Sequence, residues 1–304
     1  MRVSLNQKRY GSKKAQDRFF QAIIHCVLAF LSLAALFPFI LLLTSSLTAE
    51  TRLLVDGYSF FPKEWSINAY AWVFRTNGVT VFRAYFISLA MTAVGTTLSL
   101  VIGPMLAYAI SRKDYGKRRV ISFLVFFTMV FNGGLVAQYT MWTGLFNIRN
   151  TFWALIFPNL LFSGFQIMLM RSFFTVNIHP SLIEAAKIDG AGEFRIYYQI
   201  VVPLSLPIFA TIGLMVGIHY WNDWQNGLYY LTNPRLYGLQ NLLNRILLNV
   251  RYLAESGDIG VELDLPSIGA RMAMAVIGVI PVMALYPFFQ RYFIKGIALG
   301  GVKE

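Results

Sequence analysis

Charge is scarce in this chain. Asp, Glu, Lys and Arg make up 13% of its 304 residues, against about 25% in soluble globular domains, which excludes an ordinary soluble fold. Acid is scarcer than base, 14 residues against 26, leaving a net charge of +12. Cysteine occurs once, as Cys26. That excludes an intramolecular disulfide and a Cys/His metal cluster, and Cys26 reads as a small core residue. The three histidines, His25, His179 and His219, do not stand at metal-ligand spacing. There is no His-Glu-x-x-His run, no Gly-x-Ser-x-Gly elbow and no phosphate-cradling Gly-x-x-x-x-Gly-Lys-Ser/Thr loop. No catalytic residue is therefore expected, nor ATP hydrolysis by this chain alone.

What fills the space is apolar: 57% of the residues are hydrophobic. Six stretches contain no Asp, Glu, Lys or Arg: 19–49, 84–110, 120–148, 151–170, 196–222 and 272–290. A helix needs about 20 mostly apolar residues to cross the hydrocarbon core, and backbone groups there must be satisfied within the segment. The expected fold is an all-α polytopic membrane protein with six transmembrane helices. Runs such as Leu28 to Leu43 are apolar on every face, unlike the alternating segments of about 10 residues in a membrane β-barrel. The first stretch is also longer than the 7 to 15 apolar residues of a signal peptide, so it is expected to be retained.

The basic excess gives an orientation. With both termini inside, the inner segments hold 17 basic and 6 acidic residues, and the outer ones 9 and 8. Basic residues favour cytoplasmic loops and are attracted to anionic lipid headgroups. The expected location is the cytoplasmic (plasma or inner) membrane, with cytoplasmic termini and no nucleic-acid partner. Residues 1–18 form a basic arm. Ion-coupled carriers use ionisable residues inside the membrane, and these stretches have none, so uphill movement of a solute would draw its energy from a partner.

The segment between the fourth and fifth stretches, about 175–203, is the most informative. Pro180 and Ser181 give a helix start, Ser181 with Glu184 fits a capping box, and Gly190 and Gly192 interrupt the helix. Two short helices joined at a glycine bend result. Ala185 and Ala186 permit close approach by another surface, with Glu184 and Lys187 at the edges.

Glu184-Ala185-Ala186, Asp189-Gly190-Ala191, Ile200, Pro203 and Pro207 resemble the EAA loop of permease subunits in binding-protein-dependent ABC importers. Phe131-Asn132-Gly133-Gly134-Leu135, Asn150-Thr151-Phe152-Trp153-Ala154-Leu155, Tyr220-Trp221-Asn222-Asp223-Trp224 and Tyr292-Phe293-Ile294-Lys295-Gly296 are similar to the carbohydrate-type permeases, notably the oligosaccharide branch. Val202 and Val136-Ala137-Gln138 depart from the usual pattern.

The resemblance implies a type I, maltose-transporter-like importer. Two homologous permeases would form the path, two cytoplasmic ATPases would bind ATP and Mg, and an extracytoplasmic binding protein would deliver the sugar. This chain would bind no cofactor itself. Glu184, Ala185, Ala186, Asp189 and Gly190 would form the ATPase-coupling element of the cytoplasmic loop between helices four and five.

Candidates for substrate contact are Asn132, Gln138, Asn159 and Gln166 in or near spans three and four, and Trp221, Asn222, Asp223 and Trp224 at the outer end of span five. Planar polar side chains and aromatic faces suit a sugar. Polar residues also bond neighbouring helices, and Trp and Tyr also form interfacial belts.

The external loop of about 223–271 contains leucines at near-helical spacing from Leu236 to Leu253, an amphipathic helix, followed by acidic Glu255, Asp258, Glu262 and Asp264. It would face the binding protein, pack on the partner permease, or lie in the interface. No internal repeat is visible, so residues 1–304 read as one membrane domain. The alternative function is a stand-alone secondary carrier or channel.

Overall fold

A computed structural model of the chain describes residues 2–76, 78–158, 161, 163–256 and 268–301. Helices dominate. Among the described residues the one β pairing is an isolated antiparallel bridge between Thr48 and Trp65. The chain divides into two compact units, Met1–Val73 with Pro266–Val276, and Phe74–Leu265 with Ile277–Glu304.

The first unit begins with α1 (Arg2–Ser46), whose segment Phe20–Ser46 is apolar over 27 residues. At 1.5 Å per residue that is about 40 Å, longer than the roughly 30 Å hydrocarbon core. Its side chains from residue 20 to residue 40 are all exposed, a mostly apolar surface suited to lipid, in which the His25 and Ser32 side chains bond carbonyls one turn back on the same helix. Cys26 lies on that surface, not in a core, because this part of α1 has no buried face. After α1 the chain folds back: Ala49 N–H donates to the Glu64 carbonyl (3.2 Å) and Ser66 N–H to the Leu47 carbonyl (2.8 Å). Next come α2 (Glu50–Val55) and α3 (Asn68–Thr76). The Glu50 carboxylate accepts the Ile268 and Gly269 amides, each at 2.9 Å. It thereby satisfies free donors at the start of the last helix, where negative charge is favoured.

The second unit is organised on α4 (Gly78–Ser111), a single 34-residue helix. α5 (Arg118–Val130) and α6 (Gly134–Thr140), the latter extended by one wide turn to Leu145, meet at 115°. A 3₁₀ turn, Phe152–Leu155, precedes α7 (Gly164–Asn177), α8 (Pro180–Ile188) and α9 (Glu193–Ile196). A wide turn, Tyr197–Val201, leads through α10 (Val202–Leu204) into α11 (Leu206–Trp221), across an 82° bend. α12 (Gln225–Tyr230), α13 (Leu239–Ser256) and α14 (Ile268–Gly301) complete the chain.

Among the described residues two helical segments, Phe20–Ser46 and Gly78–Ser111, are each long and apolar enough to cross a membrane, and up to four such segments exist if each bent pair counts as one. The charge-free run 151–170 is not one helix. Asn150 has a positive φ of 57°, Phe152–Leu155 forms a separate turn, and α7 starts only at Gly164 and continues past Arg171. Absence of charge reports an apolar setting; it does not require a continuous helix. The carbonyls freed by this irregular stretch find partners from packed helices: Tyr220 Oη donates to Ile156 O (3.0 Å) and Ser99 Oγ to Leu161 O (2.9 Å).

α4 packs closely on α11 and α7, and small residues allow it. A Cβ at Gly95 would lie 2.2 Å from the Tyr220 ring, so the ring occupies the space that a side chain would need. Met91, Phe174, Ile212 and Tyr220 are fully buried around this contact. α13 is amphipathic, as its leucine spacing requires. Leu239 is buried and its N–H donates to Ser88 Oγ (2.8 Å), while Arg245 reaches the carbonyls of Gly227 (3.3 Å) and Leu231 (2.9 Å). The first half of α13 is therefore docked on its own chain.

Candidate functional site

Two polar regions stand out in the second unit. At the first, Pro180 occupies the opening turn of α8 after His179 in extended conformation, where its fixed φ and missing N–H cost nothing. No capping box forms. His179 is the cap residue, and the Ser181 hydroxyl pairs with His179 Nδ1 at 2.9 Å.

The C-terminal end closes as a Schellman motif. Gly190 N–H donates to Lys187 O (3.0 Å) and Ala191 N–H to Ala186 O (2.9 Å), with Gly190 at φ 78°. A Cβ at Gly190 would meet nothing within 4 Å. Backbone conformation, not space, demands glycine there.

Ile183 and Ala186 are buried and seat α8 on its own chain, whereas Glu184, Ala185 and Asp189 are exposed. Beside them Leu182, Phe194 and Ile188 are exposed as well, Ile188 to 86%. α8 thus presents a small apolar face edged by carboxylates.

Behind α8 four charges meet. Lys187 Nζ donates to Asp114 Oδ2 (3.1 Å) and to Glu193 Oε1 (2.9 Å). Arg112 grips Asp114 with two nitrogens, Nε at 2.9 Å and Nη2 at 2.5 Å, and donates to Tyr108 Oη at 2.9 Å. Tyr108 Oη donates in turn to Glu193 Oε2 at 3.3 Å. Arg112, with Lys187 behind it, holds the Asp114 carboxyl well below the usual carboxylate range. The bond to Asp114 raises Arg112, and Glu193 followed by Asp114 raises Lys187.

The second region is a cavity of about 280 Å³ whose lining includes Asn132, Gln138, His219, Asp223, Asn226 and Tyr229. Asn132 creates one wall by ending a helix and starting another. Its Oδ1 accepts Gly134 N–H (2.9 Å) and Gln138 Nε2 (3.4 Å), and Gly134 has φ 81°. The break between α5 and α6 therefore falls at Gly133 and Gly134 and is braced by the asparagine just before them. At the opposite wall Asp223 Oδ1 accepts Asn226 N–H (3.2 Å), while Oδ2 is buried with no protein partner. Burial pushes the Asp223 carboxyl up to about 6. Asn226 Nδ2 donates to Pro158 O at 2.8 Å.

The cavity brings together Asn132, Gln138 and Asp223. Asn222 and Trp224 line a neighbouring cavity of about 260 Å³ that shares His219 and Asp223. Trp221 is buried elsewhere, its Nε1 donating to Gly278 O (2.9 Å) and its ring edge-on to Tyr85 at 5.6 Å. Gln166 is half-buried in the first turn of α7 and lines neither cavity. Asn159 lies outside the described residues.

Sequence reasoning missed His219, Asn226 and Tyr229 in the lining. Helical spacing backwards from Asp223 and the turn after it could have found the first two. Asn150, which opens the permease-like run 150–155, ties that run to the turn after α12: its side chain donates to Thr232 Oγ1 (2.8 Å) and accepts the Thr232 (2.6 Å) and Asn233 (3.0 Å) amides. Asp114 carried no signal, being 73 residues from its partner Lys187.

Apolar helices, two of the paths broken at polar or proline-bearing bends, around a polar cavity define a membrane transport component. A family model described as the inner membrane component of binding-protein-dependent transport systems matches residues 99–299, and the chain belongs to that family. It is 32% identical over 289 residues to the polygalacturonan/rhamnogalacturonan transport system permease protein YtcP of Bacillus subtilis (strain 168), covering 95% of this chain and 99% of the relative. It is 28% identical over 277 residues to the arabinooligosaccharides transport system permease protein AraQ of the same organism, covering 90% and 92%. The crystal structure of a bacterial ABC transporter involved in the import of the acidic polysaccharide alginate contains a similar chain, with TM-score 0.77 and 27% identity over 91% of this chain and 98% of that one.

Proposed function

We propose that the chain is one permease subunit of an ATP-driven sugar or oligosaccharide importer and forms half of its translocation path. It crosses the membrane six times as one domain, with both termini cytoplasmic. A homologous permease completes the path, two cytoplasmic ATPases bind ATP and Mg and hydrolyse the nucleotide, and an external binding protein supplies the sugar. The observation that carries the reading is α8, a short helix closed by Gly190, seated through Ile183 and Ala186, and presenting Glu184, Ala185, Ile188 and Asp189 outward. A rigid, exposed element of this kind can receive a partner's movement and pass it to α11.

The cavity at the α5–α6 break supports the path. Irregular backbone at membrane depth is tolerated where it lines a cavity, and broken helices are where transporters bind their cargo. Asn132, Gln138 and Asp223, with His219 and Tyr229, offer hydrogen-bonding groups for sugar hydroxyls. Trp221 is a packing residue in this reading.

The test is copurification followed by uptake. A tagged chain should bring down a homologous permease and an ATPase, and the complex in vesicles with its binding protein should accumulate a radiolabelled oligosaccharide from a panel of raffinose, arabinotriose and trigalacturonate. Accumulation by the purified chain alone would overturn the reading in favour of a stand-alone carrier or channel.

A further inference from the structure

The four-charge cluster joins three separate pieces of backbone: the residues just past α4 (Arg112 and Asp114), the last turn of α8 (Lys187) and the first residue of α9 (Glu193). Its geometry is alternating. Each carboxylate faces both cations, with Arg112 Nη2 3.8 Å from Glu193 Oε1, and Tyr108 links Arg112 to Glu193. Isolated exposed ion pairs contribute little, but networks with a two-point guanidinium–carboxylate grip contribute more. Arg112 is shielded, its side chain only 12% exposed. A second tie lies beside the cluster, where Arg171 at the middle of α7 donates to Ile110 O at 3.3 Å.

Lys187 is the one member on α8. Through Glu193 it straps α8 to α9 across the Gly190 bend, and through Asp114 it straps α8 to the end of α4. The bend is closed locally by the two backbone bonds at Gly190, and the Lys187 bonds add a side-chain strap across it.

We infer that Asp114 and Glu193 are positioning residues, clamping Lys187 so that α8, the end of α4 and the start of α9 move as one body. The inference rests on the proposed role of α8 as the coupling helix and adds a second output. A push on α8 reaches α4, around which the unit is built, as well as α11 through α9 and α10.

The test uses the full complex of both permeases, ATPases and binding protein in vesicles, with Cys26→Ser as background. Uptake of radiolabelled raffinose, arabinotriose and trigalacturonate is measured together with ATP hydrolysis. Asp114→Asn should lower sugar moved per ATP hydrolysed by at least about fivefold, the low end of typical coupling between sites, with assembly and hydrolysis retained. Asp114→Cys with Lys187→Cys should show the same loss, and a short bifunctional thiosulfonate joining the two cysteines should restore the ratio. A purely structural role would not be rescued in this way. A wild-type ratio in the unlinked variants overturns the clamp, as does a cross-link that blocks transport, because the segments must then separate during the cycle. Glu184→Lys serves as the separate control: if it leaves uptake unchanged, the reading of α8 itself fails.

Discussion

The corner around α8 and the cavity at the α5–α6 break are both polar places in an apolar chain, yet they are finished differently. At the corner each of the four clustered charges, Arg112, Asp114, Lys187 and Glu193, has an opposite charge in reach, and the backbone turn is closed by two bonds at Gly190. In the cavity Asp223 keeps a buried oxygen with no protein partner, and His219 and Tyr229 are exposed to the space. The closed corner suits transmission of force, because satisfied networks are rigid. The open cavity suits a hydroxylated ligand, because an unsatisfied buried acceptor gains most from an arriving donor.

The largest effect separating the two should come from Gly190→Pro. Proline fixes φ near −65° and removes the N–H that Lys187 O accepts, so it breaks the corner at its turn and leaves the cavity intact. Uptake should vanish while the chain still inserts and copurifies with its partner permease. Retained uptake would show that the bend is dispensable. Next comes Gly95→Leu, which attacks the packing that both regions share. Its side chain would enter the Tyr220 ring, and overpacking of this kind costs about 1–3 kcal/mol. A lowered thermal midpoint of the purified complex is expected, and an unchanged one would contradict the α4–α11 contact.

Asp223→Ala should act on the cavity alone. It deletes the cap on Asn226 and the open acceptor, so half-saturation for sugar should rise with little change in ATP hydrolysis without sugar; a loss confined to that basal hydrolysis would reverse the assignment. The smallest effect concerns pH. The Asp114 pKa is lowered in the folded chain, so its contribution to stability is present above the ordinary carboxylate pKa of about 4 and fades as pH falls below it. The stability difference between wild type and Asp114→Asn should therefore be flat from about pH 6 to 8 and shrink below about pH 4. A difference that changes near neutrality would point to another group.

The corner was legible in the sequence because its determinants are local: Pro180 starts α8, and Gly190 ends it within a few residues. Its far partners were not legible. Nothing in the spacing of Arg112-Lys113-Asp114 shows that α4 returns it to Lys187. The cavity was half legible. Asn132 and Asp223 stood out as polar residues beside apolar runs, but their approach depends on the helix break at Gly134, which the charge-free run 120–148 conceals. For the same reason the run 151–170 resembled a helix, although Asn150 and Gly164 delimit an irregular stretch held by Tyr220 and Ser99. Apolar composition recorded the environment of these segments, and side-chain hydrogen bonds decided their path.

The central claim is that α8 is the surface that the ATPase grips. A photoactivatable benzophenone side chain placed at Ile188, on the exposed face of α8, tests this most directly in the intact complex. A covalent adduct with the ATPase subunit is expected from Ile188 and none from the same probe at Val136, which is also apolar and exposed but lies on α6 beside the cavity. An ATPase adduct from Val136 with none from Ile188 would contradict it.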